Sequence, residues 1–148
     1  MKFQSLNQKL IRRLIKTTFI FFGLLLLAIS CSDTANQNEA VAEGNELFQS
    51  YCVICHGKYA DGRGNMADRL NTPPMDLTTI AKRRGGNFPK EVIFNIIAGK
   101  DNVPGHSVGT DMPAWWDTLK KSEDISNDKE VRQKIEHIVA YLKEIQKS

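Results

Sequence analysis

From residue 44 onward the apolar positions fall three or four apart, and no stretch alternates as a half-buried strand would. Gly44, Leu47, Phe48, Tyr51 and Cys55 form one such stripe and predict an amphipathic helix closing near residue 56. Glycine inside a helix costs about 1 kcal/mol against alanine, so Gly44 on that stripe marks either a helix start or the close crossing of a second helix. Val92, Ile93, Ile96 and Ile97 give the buried side of another helix, with Pro89 at its first position and Gly99 ending it. A third runs to the chain end on Val131, Ile135, Ile138, Leu142 and Ile145, entered by Asn127 three residues before Glu130 as in a capping box. Asp76 is placed to cap a short helix through about Lys82, which Gly85-Gly86 stops. Glycines 57, 62 and 64, and the breakers Pro104, Gly105, Gly109 and Pro113, predict two irregular segments, 57–65 and 100–117. The pattern is all-α.

The first 42 residues read differently. Residues 1–30 hold Lys2, Lys9, Arg12, Arg13 and Lys16, no acid, and an apolar run from Thr17 to Ile29 that is short for a membrane span, the layout of a secretory signal. Leu27-Ala28-Ile29-Ser30-Cys31 resembles the lipobox at which bacterial lipoprotein signals are cleaved, with Cys31 acylated; an ordinary signal or an uncleaved anchor is the alternative. Residues 31–42 are polar without an apolar period and read as a tether, leaving 43–148 as one domain. Five of the 20 Lys and Arg and none of the 17 acids lie in residues 1–30, so the remainder holds 15 bases against 17 acids, a net −2. The whole-chain +3 therefore belongs to the signal and gives no ground for a nucleic-acid partner. The basic run Lys82-Arg83-Arg84 reads as a solvated helix end, with docking of an acidic partner as the alternative.

Chemistry concentrates at Cys52-Val53-Ile54-Cys55-His56. Cys-x-x-Cys-His is the spacing for covalent attachment of c-type haem: on a helix, positions i, i+3 and i+4 share a face, so two thiols and an imidazole address one object. A dithiol redox pair belongs beside a βαβ pattern that is missing here, and a zinc site would need its remaining ligand from His106 or His137. The glycines after His56 would let backbone approach a flat ligand; they follow no strand and lack the Gly-Lys-Ser/Thr ending of a phosphate loop. A second axial ligand to haem iron has candidates in Met66, Met75, Met112 and His106. Met112 is preferred: it lies 56 positions beyond His56 in a long loop held by Pro113, whereas Met66 follows the motif closely and Met75 is wedged behind two prolines. His137 falls off the apolar face of the last helix and reads as an exposed surface residue.

Several short pieces now stand in order: the haem motif with Gly57, Gly62 and Gly64, Pro73-Pro74-x-Asp76-Leu77-Thr78, Gly85-Gly86-x-Phe88-Pro89, Met112-Pro113-x-Trp115, and Ala140-Tyr141-Leu142. Together they resemble a class I c-type cytochrome from about Glu43 to Lys143. The resemblance implies three to five helices around one covalent haem, with Cys52 and Cys55 in thioethers, His56 proximal and Met112 distal. It also implies that Gly44 and Phe48 pack near Tyr141, and that a carbonyl of Pro73 or Pro74 orients His56. Trp116 stands where such proteins usually have Gly, and one tryptophan, Trp115 being the candidate, would either serve a haem propionate through its indole N–H or simply pack in the core. The function implied is single-electron transfer, not catalysis, with quinol-oxidising complexes, oxidases or reductases as partners, on the exported side of a bacterial membrane and held there by lipid. The alternative is a haem enzyme or gas sensor whose distal position is open or displaceable.

Overall fold

A computed structural model describes residues 14–16, 34–101 and 111–147. The chain divides into two compact units, residues 1–38 and 39–148. Cys31 and His106 lie outside the described residues, as does most of the signal-like segment. No helix among the described residues is long and apolar enough to cross a membrane.

The described residues are helical and contain no strand. Helix α1 covers residues 34–51 and is followed by the single turn α2, Val53–His56. After 3-10 turns at Ala67–Arg69 and Leu77–Thr79 come α3 (Ile80–Arg83), α4 (Lys90–Ala98), α5 (Trp115–Ser122) and α6 (Asp128–Glu144). Four of these exceed one turn, within the three to five expected. The helix already includes residue 34, inside the expected tether, although residues 34–39 are exposed and carry no apolar stripe.

The core lies where α4, α5 and α6 meet, with Phe48 of α1 packed into it. Phe48, Leu119, Val131, Ile135 and Ile138 are sealed from solvent. Each such side chain contributes about 1.5–3 kcal/mol of transfer free energy relative to exposure. Helices α1 and α6 cross at Gly44: a Cβ there would lie 2.5 Å from the His137 carbonyl carbon and 2.9 Å from Tyr141 Cβ. The Phe48 and Tyr141 rings sit 5.3 Å apart beside that crossing. The stripe position of Gly44 thus reflects close approach, the second of the two readings.

Local signals held at several ends. Asp76 accepts from Thr78 N at 2.8 Å, Asn127 from Lys129 N at 2.9 Å, and Gly99 closes α4 in the left-handed region at φ 77°. Pro89 occupies the cap of α4, one place before the predicted first helical position.

Two expectations fail. The irregular segment 100–117 gives way at Trp115 to α5, where Leu119 is the only buried residue and no apolar period repeats; Thr118 starts the helix by donating its N–H (3.1 Å) and hydroxyl (2.9 Å) to Ala114 O. His137 is not an exposed surface residue: its side chain is only 15% accessible, and Nδ1 lies 2.6 Å from Glu43 Oε2. The crossing of α1, invisible to a count along α6 alone, covers it.

The chain end is bolted down. Gln146 Nε2 donates to Leu77 O (2.8 Å) and Leu142 O (2.6 Å), its Oε1 accepts from Ala81 N (2.8 Å), and Lys147 N donates to Thr78 O (2.7 Å).

Candidate functional site

Helix α2 exists because the chain beyond it folds back and satisfies its carbonyls. Cys52 O accepts from His56 N at 2.9 Å, and Val53 O from Gly57 N at 2.9 Å. Then Gly62 N donates to His56 O (2.9 Å), Gly64 N to Cys55 O (3.1 Å) and Met66 N to Ile54 O (2.9 Å), pairing the otherwise orphaned carbonyls of a helix end. A Cβ on Gly64 would stand 2.5 Å from Cys55 O, and one on Gly62 would strike Pro74 O. Gly57, Gly62 and Gly64 therefore permit backbone to approach backbone. None of them lines the cleft described next, which corrects the expectation that this loop hugs a ligand.

That cleft has a volume of about 320 Å³. Cys52, Cys55 and His56 line it together with Pro73, Pro74 and Met75 from one loop, Met112 and Pro113 from another, and Trp115 at the start of α5. Of the predicted site residues, only Cys31 lies elsewhere in the chain, outside the described residues. Met66 is half-buried, hydrogen-bonded through its backbone and absent from the cleft. Both Met75 (58% exposed) and the half-buried Met112 are on it. Trp115 sits with its ring 5.3 Å from Tyr51, whereas Trp116 lies off the cleft under the Lys100 ammonium at 4.4 Å.

The two thiols are shifted away from the range of a redox-cycling dithiol. Burial, and then the neighbouring Cys55, pushes Cys52 up to about 12; burial, and then the Asp111 charge, raises Cys55. Reactive dithiols need the opposite shift. Both cysteines are free in the structure. Among the described residues no three His, Cys, Asp or Glu side chains converge as a metal-ion site. Two thiols and an imidazole spread along one side of an apolar cleft fit a plate-like ligand better than a single ion.

Sequence reasoning missed Tyr51, Ile54, Leu70, Thr72 and Asp111 as cleft residues. Tyr51 and Leu70 are apolar enough to pass as core. Asp111 had a signal in its position directly before Met112, but its partners lie 39 and 40 residues away: Thr72 N donates to Oδ2 at 3.0 Å and Asn71 Nδ2 to Oδ1 at 3.1 Å. Behind the cleft, Tyr51 donates its hydroxyl to Glu123 Oε1 at 2.5 Å, and Lys134 Nζ meets Glu123 Oε2 at 2.8 Å.

Residues 39–142 match the family described as cytochrome c oxidase, cbb3-type, subunit III. The chain belongs to the c-type cytochromes. It is also 32% identical over 96 residues to cytochrome c-551 of Bacillus subtilis (strain 168), a match covering 57% of this chain and 74% of that relative. No solved structure matches. Covalent haem c is the cofactor of this cytochrome, and Cys52, Cys55 and His56 fit its attachment motif. The all-helical fold agrees with the family.

Proposed function

We propose that this cytochrome is a single-electron carrier in which Cys52 and Cys55 hold the haem by thioethers, His56 is its proximal ligand and Met112 its distal ligand. The observation that carries the reading is the meeting of Met112 with the Cys-x-x-Cys-His residues on one cleft across 56 positions of chain. When bound, the haem would supply a one-electron couple, and holding it through His56 and Met112 would favour a comparatively high potential. The surrounding residues do the rest. Pro73 and Pro74, which line the cleft with His56, are the candidates to offer a carbonyl to the imidazole when the haem is bound, Trp115 covers the cleft beside Tyr51, and the exposed Ile54 and Met75 mark the edge through which electrons exchange.

The partners are membrane-associated redox complexes. The oxidase named in the family description favours a terminal oxidase among them. Residues 1–30 serve as a lipoprotein signal, and acylated Cys31 anchors the domain to a membrane on the exported side. A Cys31→Ser change should move the protein from the membrane fraction to the soluble exported fraction; unchanged membrane retention would reject the anchor. For the carrier itself, absorption spectra in both redox states should show a six-coordinate low-spin haem. A high-spin spectrum would favour a haem enzyme or gas sensor, and absence of haem would reject both.

A further inference from the structure

Met112 sits in a stretch, residues 111–114, without regular secondary structure, so something other than a helix must keep its side chain in the cleft. On its carboxy-terminal side the support is clear. Pro113 restricts Met112 to extended backbone, and Ala114 packs against the end of α4, where a Cβ on Gly99 would lie 2.8 Å from Ala114 Cα. On its amino-terminal side the support is Asp111. Both of its carboxylate oxygens are engaged, Oδ1 by Asn71 Nδ2 and Oδ2 by Thr72 N, and both donors belong to the loop that leads into Pro73, Pro74 and Met75. One carboxylate thus ties together the two loops that line the cleft. Its bonds are charge-assisted, which makes them stronger than neutral ones.

We infer that Asp111 is the positioning residue for the distal ligand: by fastening the Met112 loop to residues 71–72 it holds the cleft closed around the haem and resists displacement of Met112 by outside ligands. The inference rests on the ligation proposed above. An outward swing of the Met112 loop would break both Asp111 bonds. Asp111→Asn keeps the shape and, with the Asn71 amide turned to accept, can keep both contacts, but it loses the charge that strengthens them.

The test is imidazole titration of the ferric holoprotein, followed by loss of the long-wavelength methionine–iron(III) band. Both bonds are solvent-exposed, so the lower end of the charged-bond range applies: Asp111→Ala should bind imidazole about ten-fold more tightly than the parent. Asn71→Ala, which removes one donor at an exposed site, should gain about three-fold. The double variant should gain no more than Asp111→Ala alone, because the two residues share one interaction. Asn127→Ala, which deletes the cap of α6, should lower resistance to denaturant while leaving imidazole affinity unchanged. Parent-like affinity in Asp111→Ala would overturn the clamp, as would an equal gain in Asn127→Ala, which would show general loosening. A parent spectrum lacking the methionine–iron band, read before imidazole is added, would instead overturn the ligation itself.

Discussion

At the scale of single residues, the cysteines and Asp111 show what a sequence makes legible. Cys52, Cys55 and His56 declare themselves because their relation is local, fixed by 3.6 residues per turn. Asp111 and Asn71 are polar, the first half-buried and the second exposed, and they lie 40 residues apart, so no period or composition joins them until the chain is folded. His137 was misread for the same reason: the residue that meets it, Glu43, comes from another helix. Glu123 is a further case, and its chemistry predicts a pH dependence. The Lys134 ammonium, and then the Tyr51 hydroxyl, hold its carboxyl below the usual carboxylate range. A carboxylate depressed in the folded state adds stability above its unfolded pKa and loses it as pH falls through the folded value. Denaturant midpoints of the parent should therefore exceed those of Glu123→Gln at neutral pH, and the gap should close as pH falls below about 4.5 into the acid range. A gap constant from neutral to acid pH would contradict the assignment.

At the scale of elements, long helices with a sustained apolar face were readable and short ones were not. Helix α6 offers five apolar positions in a row of turns, and α4 has a glycine stop; α5 has one buried residue, Leu119, and α2 has none of its own period. The loop after α2 was recognised as glycine-rich, but what the glycines approach was not. They meet the carbonyls of Cys55 and Pro74, and only the fold supplies those neighbours. The crossing of α1 and α6 is the sharpest test at this scale. Alanine is a better helix former than glycine by about 1 kcal/mol, so propensity alone predicts that Gly44→Ala stabilises. Its Cβ would press on the backbone of His137, which cannot rotate away, and overpacking of this kind costs about 1–3 kcal/mol. A lower denaturation midpoint for Gly44→Ala is expected; an unchanged or higher one would mean the helices do not approach this closely.

At the scale of the whole molecule, α1 and α6 cross, the chain end is fastened to residues 77–81, and one cleft receives side chains from three separate stretches of the chain. About 100 residues make a small core, and the bound macrocycle would add to it. The all-α class and the attachment motif could be read before folding because each rests on spacing within one stretch, whereas the crossing of α1 and α6 was left open by Gly44 itself and came only as an implication of the family resemblance. Which methionine would serve as the proposed distal ligand could only be narrowed, since Met75 and Met112 reach the same cleft from different loops. Met75 is 58% exposed and Met112 is packed against the core, which favours Met112. The most direct measurement is the ferric absorption spectrum of Met112→Ala beside that of Met75→Ala, each as the haem-loaded protein. The long-wavelength methionine–iron band should vanish in Met112→Ala and remain in Met75→Ala; a band that survives in Met112→Ala would contradict the account.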